Sequence, residues 1–460
     1  MTTTYDVAVI GAGQAAVPLA GALGKAGRRV ALIEEAHLGG SCVNFGCTPT
    51  KAAIASARVA HVARRAAEFG IAIDSVRVDF PKVIQRARRI VSEFRAGLDK
   101  ALASMSNVEV VHGHARLEGR REGRFRISVG EKRIEAAQVV LDTGARTRVP
   151  PIEGLDAIPF ITSESWLEHD ELPAHLLMVG GGYIGLEMGQ FYRRMGSEVT
   201  IVNAGDQVAG HEDREVAQAL QEILEAEGIR IVLDAKVAAL RRQGAKIAAD
   251  VEAAGKRTRL EVSHVFIAAG RQPNVDGLGL DSVGIAPQRD GSIEVDARLA
   301  TKVPGLWAAG DIRGGPMFTH TSWDDYRILE SQMLGDGRRT LDRVVPYAVF
   351  TDPELGRVGL TEAQVKKDGR AYRVGRFEMR NDGKAREVGE TTGFIKVVVD
   401  AETGLILGAS VLAAEGAELV HEYVQLMNAK VPWSVMANAI HIHPTLSEAV
   451  QSAVSAIPSA

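Results

Sequence analysis

"YDVAVIGAGQAAVPLAGALGKAGRRVALIEE", residues 5–35, reads as an apolar strand, a glycine turn, a helix and a second apolar strand that ends in acid. Gly11, Gly13 and Ala16 form G-x-G-x-x-A. In such a turn the first glycine makes the bend and the second lets the backbone approach a pyrophosphate. The small third residue lets helix and strand pack closely. Glu34 follows Gly11 by 23 residues, where a carboxylate accepts hydrogen bonds from an adenosine ribose. The glycines alone would describe any tight strand–helix turn. Strand, turn, helix and acid in this order predict a dinucleotide-binding unit.

The unit recurs. "HLLMVGGGYIGLEMGQFYRRMGSEVTIVN", residues 175–203, carries Gly180, Gly182 and Gly185 between strand and helix, with Asn203 at the offset that Glu34 has from Gly11. Each unit is followed by an apolar strand ending in glycine, "VVLDTG" to Gly144 and "VFIAAG" to Gly270. This is an internal duplication, so one chain holds two dinucleotides, most economically a flavin and a nicotinamide. "ATKVPGLWAAGD", residues 300–311, supports the flavin, because an acid such as Asp311 at the end of a buried strand needs a hydrogen-bond partner. A ribityl hydroxyl would be one. The next segment reads as a helix starting near Thr319 and His320, whose positive end would face the flavin pyrimidine.

Both cysteines of the 460-residue chain fall in "GGSCVNFGCTPTK", residues 39–51. In a regular helix, residues five apart are rotated by about 140° and cannot form a relaxed disulfide. Gly46 and Pro49 offer the distortion that would bring Cys42 and Cys47 together. Zinc is disfavoured, since the thiols are widely spaced and no second pair exists to complete a site. The pair reads as redox-active, and no metal site is expected. The net charge of −4 offers no global positive field for nucleic acid or an anionic membrane. No apolar run reaches 18 residues and the start lacks a signal-peptide pattern, so the chain reads as cytoplasmic.

These motifs together, with "GGGYIGLE", "AAGRQPN", "AAGD" and "HIHPTLSE", resemble the class I pyridine nucleotide-disulfide oxidoreductases over nearly the whole chain. That family includes glutathione reductase, dihydrolipoamide dehydrogenase and mercuric reductase. The resemblance implies an α/β fold with two Rossmann-like domains and a C-terminal α+β dimerisation domain. Residues 1–149, completed by 270–343, would bind FAD; 150–269 would bind NAD(P); 344–460 would form the interface domain.

It also implies roles. Cys42 would be the thiol that meets substrate and Cys47 the charge-transfer thiol beside the flavin. Lys51 would lie near the flavin, with Glu187 as its ion-pair partner across the domain boundary. Gly40 and Ser41 join the FAD set, and Ile184 the NAD(P) set. Tyr183 would cover the nicotinamide pocket until the cofactor displaces it. Thiol–disulfide exchange needs a proton donor and acceptor, which an imidazole oriented by a carboxylate supplies. The residues alone divide that role between His441 and His443; the resemblance selects His443 with Glu448, reaching the cysteines of a second subunit. A homodimer would then be obligatory.

Asn203 is neither an acid that repels a 2′-phosphate nor an arginine that binds one, so both NADH and NADPH are expected to bind. The acceptor is expected to be a small disulfide or a related compound. The end "QSAVSAIPSA" has no second cysteine pair, which disfavours conventional mercury reduction. "GGPMFTHTSWDDYRI" and "GFIKVVVDAETGLILGA" resemble a mercuric-reductase-like branch that serves metal or oxidant defence. Dihydrolipoamide dehydrogenase is the alternative, although Asn203 departs from that enzyme's usual acid. A non-catalytic flavoprotein sensor would have no need for Lys51, Tyr183, Glu187, His443 and Glu448 together.

Overall fold

Val7, Ala8, Val9 and Ile10 are all buried, as the middle of a parallel sheet covered on both faces requires. Their strand, Thr2–Ile10, has Val30–Glu34 and then Val108–His112 on one side and Lys132–Leu141 on the other, all parallel. The far end of Lys132–Leu141 pairs in parallel with Leu306–Ala308. Its near end pairs antiparallel with Arg124–Val129, which pairs in turn with Ala115–Arg121. A late stretch of chain therefore completes the first sheet. The computed structural model describes residues 2–458; Ser459 and Ala460, the end of the terminal stretch read for a thiol pair, lie outside the described residues.

Between these two contributions stands a second parallel sheet, ordered Arg230–Val232, Glu198–Val202, His175–Val179 and His264–Ile267. An antiparallel meander of Ala235–Gln243, Lys246–Ala253 and Lys256–Val262 accompanies it. The chain leaves the first sheet through Ala145–Thr147 and returns through Arg271–Pro273, and these two segments pair antiparallel. The exit and the return are thus stitched together. The C-terminal part is a five-stranded antiparallel sheet, Pro346–Val349, Glu354–Gly359, Ile406–Ala413, Phe394–Asp400 and Tyr372–Glu378 in spatial order. Helices Gly416–Ala429 and Ser447–Ser455 pack on it.

Helix Cys47–Arg64 joins the parts. It buries Ala52, Ala53, Ala57 and Ala60, small residues that let it lie close to helices Phe80–Ala103 and Tyr183–Met195. Val59 and Val62 are left exposed on this helix, and Ile440 and Ile442 project from the C-terminal part. Among the described residues no helix is long and apolar enough to cross a membrane.

Candidate active site

The two glycine turns are built alike. Gly11 and Gly180 have φ of +97° and +112°, and a Cβ would lie 2.2 Å from the Asp142 carbonyl oxygen in one and 2.4 Å from that of Ala268 in the other. Those carbonyls belong to the two recurring strands that end at Gly144 and Gly270, so each turn is closed from behind by the second element of its own repeat. Glu34 Oε2 accepts a hydrogen bond from Ala12 N at 2.8 Å, and Asn203 Oδ1 accepts one from Gly181 N at 3.0 Å. Residues at equal offsets make equivalent bonds. At the third position Ala16 N donates to Asp142, and a Cβ on Gly185 would lie 2.1 Å from the Gly180 carbonyl oxygen.

Both turns open into one cavity of about 1890 Å³. Gly11, Gly13, Glu34, Gly40, Ser41, Cys42, Cys47, Lys51, Gly144, Asp311, Thr319 and His320 line it from the first sheet and its helices. Gly182, Tyr183, Ile184, Glu187, Asn203 and Gly270 line it from the second. Gly180, Gly185 and Ala16 stand behind, in the turns and helix starts. Gly40, with φ of +61°, would bring a Cβ within 3.0 Å of Gly13 Cα, which seats the cysteine segment directly on the first turn. FAD fits here: the first turn offers bare backbone to a pyrophosphate, and Asp311 faces the cavity with Arg271 Nη2 at 3.3 Å. Burial pushes the Asp311 carboxyl above its usual range, against the pull of Arg271 and Arg313.

The two cysteines sit on separate helices. Gly40–Asn44 ends at Phe45, and Cys47 is the first residue of the next helix. The break at Gly46 needs glycine, since a Cβ would lie 2.8 Å from the Ser41 carbonyl oxygen. Buried Trp166 donates to the Phe45 carbonyl at 2.8 Å and pins the break. Both thiols are free, and Cys47 Sγ is 3.2 Å from Thr319 Oγ1, at the start of helix Thr319–Leu334. The Cys42 thiol donates to Cys47, which pushes Cys42 up and lowers Cys47 to about 6. Lys51 and Thr319 also lower Cys47, while burial by the cavity walls opposes them. The thiolate therefore belongs to Cys47.

Lys51 Nζ lies 2.6 Å from Glu187 Oε2, and Glu187 Oε1 accepts from Phe350 N at 2.9 Å. One carboxylate thus ties the cysteine helix, the second glycine turn and the C-terminal part. Tyr183 donates to Glu212 Oε1 at 2.7 Å, and burial raises its phenol. His320 Nε2 donates to the Pro346 carbonyl at 2.6 Å. His443 Nδ1 is 3.0 Å from Glu448 Oε1, and Thr445 N donates to Glu448 Oε2 at 2.9 Å. The Thr445 amide and then His443 hold the Glu448 carboxyl below its usual range. His441 turns inward to Glu422, 3.5 Å away, so the geometry pairs His443 with the acid. His443 is 76% exposed and does not line the cysteine cavity of its own chain.

Some participants escape a reading by motif. Glu212, Tyr347 and Arg357 gather beside Tyr183 from distant parts of the chain. Arg214, which pairs with Asp206 at 2.6 Å, also lines the cavity beyond Asn203. Asp142, fully buried against the first turn with its carboxyl pushed well up by desolvation, had a visible signal: an acid inside an apolar run.

Two dinucleotide turns and a thiol pair in one cavity define an oxidoreductase that couples a flavin and a nicotinamide to thiol chemistry. The chain matches the family described as pyridine nucleotide-disulphide oxidoreductase over residues 5–325, and that family's dimerisation domain over 345–454; it belongs to this family, whose members are enzymes that use FAD and NAD(P)H. It is 36% identical to a probable pyridine nucleotide-disulfide oxidoreductase, RclA, of Escherichia coli, over 98% of this chain and 99% of that one. It is 35% identical to a dihydrolipoyl dehydrogenase of Cupriavidus necator, over 99% and 98%. A solved Cu(II) complex of the HOCl-induced flavoprotein disulfide reductase RclA from Escherichia coli superposes with a TM-score of 0.89 at 35% identity, covering 98% and 99%.

The thiol geometry gives a spectroscopic expectation. Cys42→Ser should show a long-wavelength flavin–thiolate absorbance without added reductant, held by Lys51 and Thr319, which also lower Cys47, and fading as falling pH protonates that thiolate. Cys47→Ser should show none at any pH. Matching spectra for the two variants would contradict the assignment.

Proposed function

We propose that this protein, an FAD-dependent NAD(P)H:disulfide oxidoreductase, carries electrons through the Cys42–Cys47 pair to a small disulfide. The observation that carries the reading is a lowered Cys47 thiol beside Lys51 in a cavity that both glycine turns share. Bound FAD supplies the two-electron exchange between nicotinamide and thiols. The chain's own residues bind, orient and move protons. Gly11, Gly13, Ala16, Glu34, Gly40, Ser41, Gly144 and Asp311 hold the FAD, with Thr319 and His320 presenting a helix N-terminus to it. Gly180, Gly182, Ile184, Gly185, Asn203 and Gly270 hold the nicotinamide nucleotide, which enters as Tyr183 moves aside. NADH and NADPH both serve, because Asn203 spends its side chain on Gly181, Gly205 and Gln207 and favours neither ribose.

The Cys42 thiol, and then Lys51 fixed by Glu187, favour Cys47 as thiolate. His443, oriented by Glu448, takes the Cys42 proton; the Cys42 thiolate attacks one sulfur of the acceptor to form a mixed disulfide, and the departing thiolate takes that proton back from His443. Cys47 then displaces the second thiol and closes the Cys42–Cys47 disulfide. We assign residues 1–149 and 270–343 to the FAD domain, 150–269 to the NAD(P) domain and 344–460 to the interface, and place the enzyme in the cytoplasm. His443 serves the partner's cysteines: it is open to solvent, flanked by exposed Ile440 and Ile442, and is not among the residues that line its own chain's cavity.

The acceptor reading is tested by assaying lipoamide, glutathione disulfide, other small disulfides, quinones, Cu(II) and Hg(II) with each nicotinamide. Turnover with a small disulfide, abolished in Cys42→Ser, is expected. Turnover confined to quinones or metal ions and unchanged in Cys42→Ser would overturn it.

Complementation tests the shared site. Cys42→Ser and His443→Ala homodimers should each be nearly inactive with a disulfide. Random reassociation of the two should restore about a quarter of wild-type activity, since half the dimers are mixed and each has one intact site. Exchanged dimers that stay inactive would refute a site shared across subunits.

A further inference from the structure

Tyr183 stands at the mouth of the second glycine turn, lining the cavity beside Gly181, Gly182 and Glu187. Its ring lies on that of Tyr347, with centroids 5.6 Å apart and planes 26° apart. Tyr347 stacks in turn on Phe318 at 5.2 Å, and Phe318 on His320 at 5.4 Å. A column of four rings thus runs from the second glycine turn to the helix that begins beside Cys47. Both tyrosine hydroxyls donate to the same atom, Glu212 Oε1, each at 2.7 Å.

Glu212 is not free to follow either ring. Its side chain has no solvent exposure, and its other oxygen lies 2.8 Å from Nε of the equally buried Arg357. That contact is one of charge rather than an aligned hydrogen bond, as neither atom has a hydrogen-bond partner. Arg357 is itself anchored, donating to the Ala409 carbonyl at 2.6 Å and to Ser410 Oγ at 3.2 Å. The next residue, Asp213, accepts from Glu362 N at 3.0 Å, Ala363 N at 3.1 Å and Lys396 Nζ at 3.1 Å. The carboxylate is therefore a fixed post. When Tyr183 swings away, its bond to Glu212 must break, and a buried carboxylate oxygen stripped of its donor is costly.

We propose that Tyr347 is a positioning residue for nicotinamide entry, the second donor that keeps Glu212 Oε1 satisfied while Tyr183 is displaced. The proposal rests on the reading of Tyr183 as the cover of the nicotinamide pocket. With both phenols present, opening exchanges a doubly donated oxygen for a singly donated one. Without the Tyr347 hydroxyl, opening leaves that oxygen bare. Without the Tyr183 hydroxyl, opening breaks no bond to Glu212 at all.

Dissociation constants of NAD⁺ and NADP⁺ for the FAD-loaded dimer, read from flavin absorbance, test this. Tyr347→Phe should weaken binding about tenfold, and Tyr183→Phe should tighten it about threefold. In the Tyr183→Phe background, adding Tyr347→Phe should have almost no effect, because neither closed nor open form then loses a bond. Damage to packing would instead persist in both backgrounds. Tyr347→Phe that binds as wild type, or that weakens binding equally in both backgrounds, would overturn the proposal. Tyr183→Ala separates the two readings. Unchanged affinity in that variant would remove the cover itself, whereas altered affinity with an inert Tyr347→Phe would remove only the role of Tyr347.

Discussion

The Lys51–Glu187 ion pair sits where the parts of this molecule meet. Lys51 lies one turn into the cysteine helix, and Glu187 lies in the helix that follows the second glycine turn. The Glu187 side chain is 9% exposed and that of Lys51 is 32% exposed, so the pair is partly desolvated. Such pairs add little net stability, yet removing one partner strands the other; the loss is about 3–5 kcal/mol for a fully buried pair and less here. Its geometric effect is plainer. The carboxylate also accepts the Phe350 amide, and Lys51 lies over the Phe350 ring, so three segments distant in sequence are held at one point. The same ammonium lowers the Cys47 thiol. One interaction therefore sets the docking of two nucleotide turns and adds to the Cys42 hydrogen bond that lowers the thiol between them.

Duplication explains much of the remainder. Each glycine turn presses against a carbonyl from the strand that closes its repeat, so a turn and its closing strand must be present together. The first turn packs the cysteine segment at Gly40, while the second carries Tyr183 and Glu187 into the same cavity. The two repeats thus have the same construction and different cargo. Their open ends face one space, so the groups they bind would lie close together.

What could be read from the sequence was local chemistry with a fixed spacing. Gly11, Gly180, Glu34 and Asn203 announce themselves because a turn and its acceptor lie on one strand–helix–strand unit. Cys42 and Cys47 do so because the chain has no other cysteine. The break between them was legible from Gly46, although the Trp166 bond that pins it comes from a short helical turn more than a hundred residues away. The choice between His441 and His443 was not legible, since both precede the same turn; it depends on Glu422, which draws His441 inward. The Glu212–Tyr347–Arg357 cluster carried no signal, because its members come from a loop and two strands with no periodicity linking them. Packing across sheets brings such groups together, and a single sequence does not record it.

The central claim is that reducing equivalents entering at the second turn come to rest on the cysteine pair. Anaerobic titration of the FAD-loaded, oxidised protein with one equivalent of NADH or NADPH tests it most directly, by counting thiols after denaturation while following the flavin spectrum. The account predicts that Cys42 and Cys47 both appear as thiols while the flavin remains in its oxidised state with a new long-wavelength absorbance. A bleached flavin with no new thiols would contradict it.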